Sequence, residues 1–216
     1  IRPILANRGA GRPYHAGMTA THDVVIIGGG LVGASLAIAL EGSGLDVAMV
    51  EAAPAAAMPA VFDERNLSFA EATVNALSAL GVMQRLRAPT GAITRIHASR
   101  RGDFGRVVLD AADHGRGAFG QVVVARDFGE ALESRLSDVA ALSRHRGTRF
   151  TGFAADVDGH RVLELAGEGP PRLRARLVVA ADGAASGVRD ALGIDARRHE
   201  YGQVLLVARL RAARAP

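Results

Sequence analysis

The sequence contains no cysteine, no tryptophan and no lysine. Without cysteine there is no disulfide, no thiol nucleophile, no zinc–thiolate site and no electron transfer through a cysteine pair. Without lysine there is no Schiff-base chemistry and no phosphate-binding lysine of the Walker type. Aromatic residues are scarce at 4%. Long apolar runs are missing too. The longest, Val24 to Gly30 and Leu177 to Ala181, are strand-length, far short of the roughly 18–20 residues that cross a bilayer.

What remains is a chain of 216 residues, 49% hydrophobic and 22% charged, enough for one sizeable domain or one domain and part of another. The net charge is +4 and every one of the 26 basic residues is arginine. These arginines are scattered among acids, without the clustering and stacking aromatics of a nucleic-acid surface, so no nucleic-acid partner is expected. All-arginine usage together with abundant alanine fits a base-composition bias. The positive charge leaves room only for a weak attraction to anionic lipid. Ile1 to Gly17 has no apolar core of a signal peptide and reads as a disordered leader, or as sequence upstream of a start at Met18.

Hydrophobic spacing predicts a strand over 23–27, a helix over 31–41 and a second strand over 46–51. That is a βαβ unit, hence a parallel pair with a right-handed crossover. A small-residue loop follows over 52–59, then a helix over 69–80. Strands are expected over 93–98, 106–111 and 121–125, and an amphipathic helix over 126–142 with Phe128, Leu132, Leu136 and Val139 inward. Strands over 148–157 and 161–165 are joined by the turn Asp158-Gly159, and a strand over 173–181, a short helix over 186–192 and a strand over 203–210 complete the chain. The order argues for an α/β domain with an inserted β-rich segment. The seven histidines show no ligand spacing, and His97, His160 and His199 are expected to be half-buried structural residues. No metal site is expected.

Between the first strand and helix stands Gly28-Gly-Gly30-Leu-Val-Gly33. Gly28 suits a tight turn out of the strand, Gly30 a close backbone approach to phosphates, and Gly33 close packing of helix on strand. Glu51, 18 residues beyond Gly33, falls at the end of the second strand, where a carboxylate accepts ribose hydroxyls. Strand, glycines, helix and acid together point to a dinucleotide, without separating NAD from FAD. A second cluster, Leu177-Val-Val-Ala-Ala-Asp182-Gly183-Ala-Ala-Ser186-Gly-Val-Arg189, places a carboxylate at a strand's carboxyl end. By itself it also reads as an Asp-Gly turn with Ser186 as a helix N-cap.

Taken with Phe62-Asp63-Glu-Arg65-Asn-Leu-Ser68, these blocks resemble the class A flavoprotein aromatic monooxygenases. The likeness is greatest to the UbiH-type ubiquinone-biosynthesis hydroxylases (2-polyprenyl-6-methoxyphenol hydroxylase). The stretches from Ala92 through His97 to Gly102 and at Gly120-Gln-Val-Val are similar to that subgroup as well. The resemblance runs from Asp23 to the end of the chain. It implies a Rossmann-type FAD-binding domain of the GR2-like kind over 23–198, with 93–125 partly belonging to a substrate-side sheet. Residues 1–22 are then a leader, and 199–216 the first strand of a truncated substrate domain.

The resemblance also implies roles. Gly28, Gly30, Gly33 and Glu51 hold the ADP half of FAD; Arg65 helps position FAD; Arg126 lies near the adenosine side. Asp182 and Gly183 serve FAD and NAD(P)H. For Arg65 the residues alone equally suggest a surface pair with Asp63 or Glu64, and for Arg126 a helix-end charge. The implied reaction uses NAD(P)H as reductant and dioxygen as the source of one oxygen atom placed on an electron-rich phenol with a prenyl tail. No catalytic acid or base is singled out. Other implied features are a ubiquinone-synthesis protein complex, peripheral contact with the inner membrane and a cytoplasmic location. The absence of Trp speaks against a halogenase. Another FAD- or NAD-dependent oxidoreductase, or a non-catalytic nucleotide-binding fragment, stays open. The family's Gly-Asp-Ala-type fingerprint has no counterpart before Pro216, so the chain resembles the N-terminal half of a hydroxylase. It is expected to bind FAD poorly and to hydroxylate nothing alone.

Overall fold

The computed structural model describes residues 19–55, 57, 62–204 and 206. Its centre is a six-stranded sheet. The first strand, β1 (Ala20–Ile27), begins three residues before the expected Asp23. Helix α1 (Leu31–Ala39) and strand β2 (Val47–Val50) complete the βαβ unit. β1 pairs in parallel with β2, Val25 facing Ala48 and Ile27 facing Val50. Val24 and Ile26 enter one core, Val25 and Ile27 another on the opposite face. This run without polar alternation is what a strand covered on both sides requires.

After β2 the chain leaves the sheet. Strand β3 (Asn66–Ala70) runs into helix α2 (Glu71–Ala79). The short strands β4 (Gly91–Ala92), β5 (Arg95–Ala98), β6 (Val107–Asp110) and β7 (Gly120–Val124) follow. β3, β7 and β4 form one antiparallel sheet, whereas β5 and β6 make a separate hairpin with Ile96, Val107, Val108 and Leu109 exposed. Helix α3 (Ala125–Leu136) then returns to the main sheet. Its buried Phe128, Ala131, Leu132 and Leu136 lie at helical spacing. Phe128 is fully enclosed and meets Phe69 edge-on, ring centroids 4.9 Å apart.

The main sheet is completed by β8 (Ser143–His145), β9 (Thr148–Val157), β10 (His160–Gly167) and β11 (Arg172–Ala180), in the order β8-β2-β1-β11-β10-β9. β11 lies parallel to β1, and β9–β10–β11 are antiparallel. Asp158 and Gly159, both at positive φ, form the expected two-residue turn. Helix α4 (Gly187–Ala191) follows β11.

β8 and β9 stand at opposite edges of this sheet, yet only Arg146 and Gly147 lie between them. Three peptide steps reach about 10 Å, whereas six flat strands would set the edges about 24 Å apart. The sheet therefore curls until β9 arrives over the carboxyl end of β2. There Gly147 N donates to Ala53 O at 2.9 Å and Thr148 N to Glu51 O at 3.0 Å.

Several expectations change. Phe69 belongs to β3, not to a helix over 69–80, because Leu67, Ser68 and Phe69 pair across to Val123, Val122 and Gln121. That tertiary pairing overrides the helical spacing. Ala125 opens α3 rather than closing a strand. α3 stops at Leu136 instead of Leu142, where Ser137 turns its hydroxyl back to Glu133 O at 2.9 Å. β3, β4 and β8 have no clear alternation and were not foreseen. His160 is half-buried as expected, but His97 and His199 are exposed. Of the expected strand over 203–210, Gln203, Val204 and Leu206 are not in a strand and the other residues lie outside the described ones. The same holds for 1–18 of the leader and for positions 56, 58 and 59 of the loop.

Candidate functional site

A cavity of about 630 Å³ opens where β1, β2, β9 and the segment after β11 meet. Gly28 carries the chain out of β1 at φ +103°, and a Cβ there would stand 2.3 Å from Ala181 O. Only glycine lets the turn pass so close to the loop after β11. Gly30, at the start of α1, makes no side-chain cap, and the helix has no acid in its first turn. Its first amides and the positive end of its dipole therefore face the cavity beside Leu31 and Val32. Gly33 lies beneath rather than on the wall. A Cβ there would sit 1.9 Å from Gly28 O, so its bare backbone sets the depth at which α1 packs.

Glu51 enters from the end of β2. Its Oε2 accepts the amide of Gly29 at 2.5 Å and its Oε1 that of Ala53 at 2.7 Å. Each oxygen retains a lone pair for a further donor. Across the cavity, Asp182 and Gly183 follow β11. Asp182 Oδ1 accepts from Ser186 Oγ at 2.6 Å and its Oδ2 from Val188 N at 3.2 Å, while Ser186 Oγ caps α4 by accepting from Arg189 N at 3.0 Å. The Asp-Gly block is thus a capped turn and a cavity wall at once. Thr148, Arg149 and Phe150 of β9 close the remaining side.

The structure brings Gly28, Gly30, Glu51, Asp182 and Gly183 onto one cavity, with Gly33 supporting it. It does not bring Arg65 or Arg126 there. Those two belong to a separate exposed cluster. Arg65 Nε contacts Asp63 at 2.7 Å and Arg126 Nε contacts Glu64 at 2.6 Å. Backbone bonds from Ala125 N to Arg65 O and from Arg126 N to Asp63 O, both 2.8 Å, sew this segment to the start of α3. The Arg65 guanidinium holds the Asp63 carboxyl below its usual range. Sequence reasoning missed Gly29, hidden inside its glycine triplet, and missed Arg149 and Phe150, which carry no motif at all.

An uncapped helix start, a glycine turn and a carboxylate at the end of the neighbouring strand match a diphosphate and a ribose diol. The residues therefore fit the ADP half of FAD. The family described as FAD binding domain matches residues 21–213. The chain belongs to this family. It is 33% identical over 213 residues to the ubiquinone hydroxylase UbiL of Rhodospirillum rubrum, covering 95% of this chain and 48% of that protein. It is 30% identical over 202 residues to the 3-demethoxyubiquinol 3-hydroxylase of Escherichia coli, covering 90% and 49%. The solved structure of the OxyS anhydrotetracycline hydroxylase from Streptomyces rimosus superposes with a TM-score of 0.63 at 28% identity, over 81% of this chain and 34% of that one. The resemblance to class A flavin monooxygenases, drawn above from the motifs, is borne out, as is the Rossmann-type FAD domain. The chain spans about half the length of the two curated relatives. No helix among the described residues is long and apolar enough to cross a membrane.

Proposed function

We propose that this chain forms the FAD-binding part of an NAD(P)H-dependent hydroxylase acting on a polyprenylated phenol of ubiquinone synthesis. The observation that carries the reading is the placement of the Glu51 carboxylate against the Gly29 amide, beside the uncapped start of α1. Gly28, Gly30 and the first amides of α1 hold the diphosphate, Gly33 fixes the depth of that helix, and Glu51 takes the ribose diol. Asp182 and Gly183 form the opposite wall. From the cluster at the start of α3, Arg65 helps position FAD and Arg126 serves its adenosine side. When bound, FAD supplies hydride acceptance from NAD(P)H and activation of dioxygen for transfer of one oxygen atom to a ring. The chain's own share is binding, orientation and exclusion of water from the nucleotide.

The substrate class is supported by the names of the two relatives, both ubiquinone or ubiquinol hydroxylases. The prenyl tail is the ground for expecting contact with a membrane surface and with other proteins of that synthesis. Two measurements test the proposal. Titration of the chain with FAD, followed by flavin fluorescence, should show weak saturable binding that Glu51→Gln reduces. Protein carrying this chain should oxidise NADH or NADPH in step with hydroxylation of a polyprenylated phenol. Saturable FAD binding indifferent to Glu51→Gln would overturn the site assignment, and turnover of another substrate class would overturn the reaction.

A further inference from the structure

The cavity wall includes two carboxylates and one cation. Glu51 and Asp182 each have both oxygens engaged by the protein. The cation, Arg149, is different: among the described residues its side chain has no hydrogen bond and no ion pair. Three arginines of the neighbouring segments are committed instead. Arg146 meets Glu133 at 3.3 Å, Arg172 meets Glu164 at 2.8 Å and Arg176 meets Asp23 at 3.0 Å. An exposed, unpartnered guanidinium on the rim of a binding cavity is a group without a structural duty.

Its place along the cavity follows from Glu51. The glycine turn meets that residue through the carboxylate, and β9 meets it through the carbonyl that accepts from Thr148 N. The acid thus lies between the turn and β9. A nucleotide with its diphosphate at the turn and its ribose on Glu51 carries its base onto β9. There Thr148 is buried, Phe150 is half-buried against Phe153 at a centroid distance of 4.9 Å, and Arg149 stands exposed at the mouth. We propose that Arg149 is a positioning residue for the adenosine end, its guanidinium plane lying on the outer face of the adenine. This rests on the FAD reading above. A planar, weakly hydrated cation suits a purine face in a way that an ammonium does not.

Calorimetric titration of the 216-residue chain with ADP tests this, comparing wild type with Arg149→Ala, Arg149→Lys and Arg149→Tyr. Arg149→Ala and Arg149→Lys should each weaken ADP binding about three- to tenfold, whereas Arg149→Tyr, which keeps a stacking plane without the charge, should stay within about twofold of wild type. Melting temperatures should not move, because among the described residues the side chain makes no hydrogen bond or ion pair. Full affinity in Arg149→Ala would overturn the role of Arg149 and leave the nucleotide site standing. Full affinity in Arg149→Lys with loss in Arg149→Tyr would overturn the stacked geometry in favour of a bare charge near phosphate. A wild-type chain that does not bind ADP would bring down both the FAD reading and this inference.

Discussion

The carboxylate of Glu51 and the amide of Gly29 are 2.5 Å apart, which locks the end of β2 to the turn that leaves β1. The charge on Glu51 therefore serves two ends, fixing the turn and presenting an acceptor to a ribose. Hydrogen bonds to a charged partner are worth about 1.5–3 kcal/mol. Replacing Glu51 by Gln keeps the shape and removes the charge. ADP affinity should fall by about ten- to a hundredfold, with a smaller loss of thermal stability from the weakened turn. Calorimetry and thermal denaturation of the same preparations separate the two effects, and unchanged ADP affinity would speak against the site.

Gly33 makes no contact with the cavity, yet it governs it. With a Cβ position only 1.9 Å from Gly28 O and 3.2 Å from Ala181 Cβ, Gly33→Ala forces α1 away from the strand. Overpacking of this kind costs about 1–3 kcal/mol. Urea denaturation should register that loss, and ADP binding should drop as well, since the helix start moves with the helix. A variant as stable as wild type with intact binding would show that α1 has slack the packing does not reveal.

Ser186 links the Asp182 carboxylate to the first turn of α4 and is itself buried. Ser186→Ala removes an N-cap and leaves Asp182 short of a donor, at a cost of about 0.5–2 kcal/mol. Ser186→Thr retains the hydroxyl and should recover most of it. Equal denaturation midpoints for Ala and Thr would refute the capping role.

His145 ends β8, and burial, with the charge of His22 as the lesser cause, holds its pKa below the ordinary 6.5. The unfolded chain therefore takes up this proton more readily than the folded one. The associated stability is fully present above about pH 6.5 and is lost as the pH falls through that value toward the folded pKa. The urea midpoint should be higher at pH 7.5 than at pH 5.5, and His145→Asn should flatten the difference. Asp23, Asp63 and Asp110, all held below 3.8 and led respectively by hydrogen bonds from the Asp46 backbone, Arg65 and Arg95, act only at lower pH and do not enter this window.

The βαβ unit was legible because each signal in it is local. Val24 to Ile27 must be apolar on both faces, Gly28 must turn, and Glu51 must close the next strand. The length of β9 and the Asp158-Gly159 turn were legible for the same reason. β8 was not: Ser-Arg-His has no pattern of its own and becomes a strand only because β2 offers an edge. Phe69 was misread because helical spacing happened to agree with a segment that pairs across to β7. Arg149 looked like any other arginine, since its place at the cavity depends on the curl of the sheet, which no window of sequence contains. Arg65 and Arg126 were linked to FAD only through the family resemblance. Their visible partners are Asp63 and Glu64, the two residues that immediately precede Arg65 in sequence.

The sheet order has a consequence for the chain while it is being made. β1 can meet β2 early, but its other neighbour, β11, lies far downstream; Arg176 and its partner Asp23 are 153 residues apart. At about 5–20 residues per second, translation leaves that side of Val24 to Ile27 bare for roughly 8–30 s. During that interval an apolar, uncharged run with strong strand preference is available to any other nascent chain. The strand that anchors the nucleotide turn is therefore the point at which a slow ribosome or an absent chaperone would divert this protein into aggregate, before any cofactor has a site to enter.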